Sequence, residues 1–313
     1  MLGRKILAAA AVLVFFSFFH TLWAQPDKPM NEEKTLPKIK ALLLDGQMVY
    51  EGHKWQETTP VLKAILESSG RFAVDVFTFP PKGQPNEDVC PPFSDYEVVV
   101  MNYEGDAWAE KTRQAFVSYM RQGGGLVVVH AADNAFPDWP EWNEMIGLGG
   151  WGGRNETAGP MVWWEDGKLV YDTSPGPAGY HGQKADWVVT IRDPNHPITV
   201  GLPTRWLHCC DELYSKLRGP AVNLHVLATG RQDPAQRGTG RDELCLFTIS
   251  YGKGRIFHTT LGHDAASMQC VGFIVTLQRG AEWAAAGTVT LKEVPEDFLT
   301  ETQTRSRMLM PAK

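Results

Sequence analysis

Three of the nine histidines in this 313-residue chain follow apolar runs. His53 lies in Gly52-His53-Lys54-Trp55, after the run Ile39 to Asp45. His130 closes Leu126 to His130. His263 follows Arg255 to Thr260, in Leu261-Gly262-His263-Asp264. An imidazole titrates near neutrality, so it can move protons, or ligate a metal when neutral. His208-x-x-Asp211-Glu212 is a further constellation. Two carboxylates beside a histidine suit metal binding or acid–base work, and equally suit a salt-bridged or capping loop. His181, in Gly179-Tyr180-His181-Gly182, is placed to hang over a pocket. His196 precedes Pro197 and reads as a turn residue, while His225 and His258 lie inside strand patterns and read as structural.

Other polar and aromatic residues collect around these positions. Asn102, Glu104, Asp106 and Trp108 follow a third apolar run, and Asp133 and Asn134 follow His130. Asn134 and Asp264 are spaced to fix imidazole tautomers, as supporting partners do. Trp55, Trp108, Trp139, Trp142, Trp151, Trp163 and Trp164 fall in segments that read as loops or as an insertion. Flat rings beside carboxylates and amides suit stacking on sugar faces, though Trp serves ordinary packing equally well.

The elements that must position these groups alternate. Ile39 to Asp45, Phe72 to Phe77, Tyr96 to Met101 and Leu126 to His130 read as strands. A helix is predicted with Thr59 as N-cap and Pro60 at its first position, carrying Val61, Leu62, Ile65 and Leu66 on one face and stopping at Gly70. A second carries Phe116, Val117 and Met120 and ends at Gly123-Gly124-Gly125. Short apolar strands alternating with helices predict an α/β fold, a mainly parallel sheet with helices on both faces. Residues 147–187 break the rhythm and read as a Gly/Trp-rich insertion. Four more strands follow, at Trp187 to Ile191, Leu224 to Thr229, Leu244 to Ile249 and Arg255 to Thr260, the last two joined by the tight turn Tyr251 to Gly254. Ala265 to Gly280 reads as a closing helix, and Leu299 to Lys313 as a frayed polar tail. Ligands bind outside the carboxyl ends of such strands, so His53, His130 and His263 should share one pocket there.

The start of the chain predicts export. Arg4 and Lys5 precede an apolar run from Ile6 to Phe19, shorter than the about 20 residues that span a bilayer. Ala24 then stands before Gln25, so residues 1–24 read as a signal peptide and the mature protein as periplasmic or secreted, with no membrane span after cleavage. Residues 25–38, with Pro26, Pro29 and Pro37, read as a linker. Cleavage removes Arg4 and Lys5 and moves the formal net charge from −6 to −8. That acidic balance, with Lys and Arg scattered, is not built to neutralise phosphates, so nucleic acid is not expected as a partner. The five cysteines form no disulfide framework and no zinc-binding Cys-x-x-Cys. Cys245 and Cys270 read as core, and Cys209 or Cys210 has the option of bridging Cys90.

Taken together and in order, these segments resemble the ThuA-like (trehalose utilisation) family. The resemblance is carried by Gly52-His53-x-Trp55 with Thr58-Thr59-Pro60, by Gly123 to Phe136, and by His196-Pro197-Ile198-Thr199-x-Gly201-Leu202-Pro203. His208-x-x-Asp211-Glu212-Leu213-Tyr214, Tyr251-Gly252-Lys253-Gly254-Arg255, Leu261-Gly262-His263 and Arg279-Gly280-x-Glu282-Trp283-Ala284 complete it. It runs from about Ile39 to Phe298 and implies a flavodoxin-like sheet of the class I glutamine amidotransferase-like type. Amidotransferases place a Cys nucleophile on a sharp turn after a strand; the matching turn here is His130-Ala131-Ala132, so amidotransferase chemistry is not expected. The resemblance implies carbohydrate as the small-molecule partner, with keto-sugar or glycoside breakdown as the setting. On this reading His130, His263, Asp211 and Glu212 are the catalytic candidates. His53, Trp55, Trp108, Asn134 and His181 are the substrate-binding ones. A divalent metal is a candidate cofactor, with His130, His263 and His208 as its ligands. The other reading is a carbohydrate-binding protein that uses the same pocket without turnover.

Overall fold

The structure, a computed structural model, describes residues 36–309. The expected signal peptide, nearly all of the linker and the last four residues lie outside that range. Within it the chain runs β1 (Ile39–Asp45), α1 (Trp55–Ser68), β2 (Phe72–Thr78), β3 (Val98–Met101), α2 (Glu110–Gln122), β4 (Gly125–Val129) and α3 (Pro140–Ile146). The insertion follows, with β5 (Met161–Glu165), β6 (Lys168–Asp172) and β7 (Tyr180–His181). Then come β8 (Ala185–Ile191), β9 (Arg205–Asp211), β10 (Tyr214–Ser215), β11 (Leu224–Arg231), β12 (Asp242–Tyr251), β13 (Gly254–Thr259), α4 (Ala265–Met268) and α5 (Val271–Ala286).

The main sheet is mixed, in the order β2-β1-β3-β4-β13-β12-β11-β8-β9. The first five strands are parallel and follow the flavodoxin-like order, which reverses direction between β1 and β3. The remaining pairs are antiparallel. Side chains alternate across each parallel strand and so build two cores. Ala41, Leu43, Val98, Val100, Val127 and Val129 face one way, under Leu62 and Ile65 of α1 and Phe273 and Leu277 of α5. Leu42, Leu44, Val99, Met101, Leu126 and Val128 face the other, under Phe116 and Met120 of α2 and Trp142 and Met145 of α3. The strands therefore read as continuous apolar runs because both faces are covered. Among the described residues no helix is long and apolar enough to cross a membrane.

Three local expectations are corrected. α1 begins at Trp55, so Thr59 is no N-cap and Pro60 lies inside the helix. Thr58 and Thr59 are buried there because Asn102 Nδ2, just past β3, donates to both hydroxyls at 3.0 Å. The tail up to residue 309 is not frayed. The Val271 N–H donates to the Arg305 carbonyl at 3.0 Å, and Leu299 is buried. Several tryptophans assigned to loops belong to elements or to the core: Trp142 to α3, and Trp163 and Trp164 to β5. All five cysteines are free, and Cys245 and Cys270 are fully buried.

The insertion is fastened by two buried arginines. Arg154 donates to the carbonyls of Asn134, Ala135 and Gly150 at 2.7–2.9 Å, and Arg218 donates to those of Gly159 and Ser174. Beside it, Glu243 of β12 sits opposite Trp163 and is buried, which pushes its carboxyl from the ordinary 4.5 up to about 7. An acid whose folded pKa is raised holds its proton more tightly folded than unfolded, so stability falls as pH climbs through that window. The shift corresponds to about 3 kcal/mol. Glu243→Gln should therefore flatten the pH dependence between about 4.5 and about 7 and stabilise the protein at pH 8 but not at pH 4. Urea midpoints at the two pH values check this; equal shifts at both would refute it.

Candidate metal centre

Four side chains from four separate loops converge at the carboxyl edge of the parallel strands. His53 comes from the loop after β1, His130 from the end of β4, His263 from the loop after β13, and Glu212 from the residue after β9. One donor atom from each lies within 4.8 Å of the others. His53 Nε2 is 3.1 Å from His263 Nδ1, and that nitrogen is 3.1 Å from Glu212 Oε2. Two ligands about 2.1 Å from a shared ion at tetrahedral or octahedral angles stand about 3.0–3.4 Å apart, so these spacings fit a bound cation. Three imidazoles and one carboxylate suit a divalent transition metal.

His130 is held in place by backbone rather than by chance packing. Its φ is +43°, a conformation that non-glycine residues rarely adopt, on the sharp turn from β4 into the helical turn His130–Asn134. Nδ1 lies 2.6 Å from the Thr260 carbonyl, which only accepts, so Nδ1 carries the proton. Nε2 is then a lone pair, buried and without a partner among the described residues. Burial, and then His53 and His263 nearby, push the His130 pKa well below 6.5. The neutral ring is the form that ligates. Its face lies against Tyr214, with centroids 3.9 Å apart, and the Tyr214 hydroxyl is 3.4 Å from His53 Nε2.

Asp211, expected to be catalytic, does not reach this centre. It is wholly buried beneath it and accepts from the Gly262 N–H at 2.7 Å, the His263 N–H at 3.1 Å and His208 Nε2 at 2.8 Å. Burial alone would raise its pKa, but the His208 hydrogen bond and charge, His130 and the Gly262 N–H hold it at about 2. Its work is to shape the loop that presents His263. His208, expected as a metal ligand, is spent on Asp211 and packs against Trp187, so it is no part of the cluster.

A cavity of about 400 Å³ adjoins the centre, lined by His53, Glu104, Glu212 and Tyr214 together with the aromatic rings of Tyr50, Phe136 and Trp151. Asn134 and His181 also line it, the latter with Nδ1 3.6 Å from Glu212 Oε1. No cysteine does. Neither proposed aromatic platform reaches it. Trp108 is buried and stacked on Phe79 at 5.0 Å, packed where the loop after β3 meets the core. Trp55 opens α1 and lies off the cavity wall. Trp151, from Gly149-Gly150-Trp151-Gly152, is the tryptophan on its wall. Glu104 was visible only by its place after the third apolar run, and Tyr214 only as the end of the segment His208 to Tyr214, neither with a role assigned. A larger cleft lined by Pro92, Phe93, Tyr96 and Gln122 carries no comparable cluster.

The ThuA family profile, described as trehalose utilisation, matches residues 40–284. The chain belongs to the ThuA family. A ThuA-like protein of Parabacteroides merdae is 50% identical with a TM-score of 0.83, covering 87% of this chain and 98% of its own. One of Bacteroides uniformis, 18% identical with a TM-score of 0.56 over 85% of this chain and 100% of its own, shares the fold. No functionally curated protein matches the chain. The family's description ties this ThuA protein to a carbohydrate-related role.

Proposed function

We propose that this ThuA-family protein is an exported enzyme of sugar breakdown that uses a divalent ion held by His53, His130, His263 and Glu212. The observation that carries the reading is the convergence of those donors, with His130 Nε2 buried and otherwise unpartnered. When bound, such an ion polarises a carbonyl or hydroxyl oxygen. A keto group also acidifies the neighbouring C–H, which favours oxidised sugars as substrates. The protein's own residues supply the rest. Tyr50, Phe136 and Trp151 offer apolar faces to a sugar ring, and Asn134 offers an amide. His181 is the one imidazole on the cavity wall outside the cluster. Its Nδ1 lies 2.9 Å from the Gly182 carbonyl, which leaves Nε2 free to exchange protons with a bound substrate.

The test uses protein purified without chelator. About one divalent ion per chain is expected, with turnover of keto-disaccharides in preference to plain ones and loss of turnover on chelation. Sugar binding without an ion or turnover would make the protein a binder and sink the enzyme reading. Export is checked separately: native protein should begin at or near Gln25, and an intact Met1 on N-terminal sequencing would refute cleavage.

A further inference from the structure

His53 needs its proton on Nδ1 if Nε2 is to face an ion, and the other two atoms that decide this are both idle. Among the described residues His53 Nδ1 is buried without a hydrogen-bond partner, and so is Glu104 Oε2. They face each other at 3.9 Å, on the side of the ring away from His263 and Glu212. A buried donor and a buried acceptor left open are each costly, and a small closure of the gap satisfies both. His130 already has the equivalent support from the Thr260 carbonyl, and metal-bound histidines nearly always donate their second N–H to such an acceptor.

We propose that Glu104 is the positioning residue of the centre: its carboxylate accepts the Nδ1–H of His53 and aims Nε2 at the ion. This rests on the metal-centre reading above. Glu104 does not share the cluster's donor positions, so it acts through His53 and not as a ligand. The loop that carries it is pinned to the loop after β1. The Glu104 N–H donates to the Gln47 carbonyl at 3.1 Å, Gln47 Oε1 accepts from the Asp106 N–H at 2.9 Å, and Gln47 Nε2 donates to the Pro80 carbonyl at 2.7 Å. The pin is close enough that a Cβ on Gly105 would stand 2.3 Å from Gln47 Oε1, so only glycine follows Glu104 without a shift. Both loops flank the reversal of strand order between β1 and β3, so the carboxylate and the imidazole are fixed to one rigid frame.

The experiment is competition between full-length protein and a chromophoric chelator for Zn²⁺, with the melting midpoint of the metal-free protein measured in parallel. Glu104→Ala should weaken Zn²⁺ binding by about 10–100-fold. Glu104→Gln should fall between it and wild type, because the amide oxygen still accepts the Nδ1–H. Neither variant should lower the metal-free midpoint, since the carboxylate has no partner there; a residue of merely structural importance would lower it. Equal Zn²⁺ affinity in wild type and Glu104→Ala overturns the role while leaving the centre intact. So does a loss of affinity matched by a fall in the metal-free midpoint. A wild-type protein that binds no Zn²⁺ overturns the centre and the role together.

Discussion

His130→Ala is expected to empty the centre and abolish most turnover. The imidazole leaves the one position where strand, elbow and Thr260 carbonyl together aim a lone pair at the other ligands. Loss of a direct ligand should cost the ion more than the about 10–100-fold that loss of a supporting partner costs. Turnover should fall with the ion, by more than about 10²-fold, because the group that would polarise the substrate is lost. The backbone tolerates the change, because histidine already sits at positive φ and alanine adds no new clash of that kind. Stability of the metal-free form should fall by about 1–3 kcal/mol, from the orphaned Thr260 carbonyl and the space left beside Tyr214. His263→Ala should give the same loss of ion and turnover with a smaller stability cost, its ring being less buried. Metal content, turnover and urea unfolding on both variants decide the matter. Wild-type metal content and turnover in both would mean that these rings do not form the centre.

Asp211→Ala should be the most destabilising single change near the site. One buried carboxylate joins β9 to the loop after β13 through the N–H groups of Gly262 and His263, and holds His208 from its own strand. Removing it leaves three backbone donors, the N–H groups of Glu212, Gly262 and His263, and the His208 imidazole without their acceptor, and breaking a buried pair of this kind costs about 3–5 kcal/mol. The folded pKa lies below the ordinary 3.8, at about 2, so the wild-type contribution is present above about 4 and disappears as pH falls toward 2. Denaturation at pH 7 should show the full loss in the variant, and the gap to wild type should narrow as pH falls toward 2. A variant as stable as wild type at pH 7 would disprove the role given to this carboxylate.

Much of this was legible in the residues, for a physical reason. Strands covered on both faces need continuous apolar runs, so β1, β4 and β13 stand out, and a polar residue ending such a run must emerge at the sheet edge. That places His53, His130 and His263 together. Glu212 was named together with Asp211, but its place beside the three histidines was not legible, because β9 pairs antiparallel at the far end of the sheet order from β4 and β13. The division of labour between Asp211 and Glu212 was invisible for the same reason: adjacent residues point opposite ways, one into the protein and one into the cavity. Trp108 misled because its polar neighbours suggest a loop. Its burial is decided by Phe79, Phe93 and Phe116, which arrive from three other segments. Glu104 gave no signal beyond its place after β3, since its value lies in a gap of a few ångströms to one nitrogen.

The elbow at His130 carries a consequence for how such a fold changes its chemistry. The turn is bent by the backbone, and whatever residue stands at its apex is thrust into the same small volume above the sheet. A thiol at that address would be placed as a nucleophile; the imidazole that stands there offers a buried lone pair instead. The scaffold thus behaves as a socket whose reagent is exchanged by one codon. The surrounding loops, carrying His53, Glu104, Glu212 and His263, then record which reagent the socket has been adapted to hold.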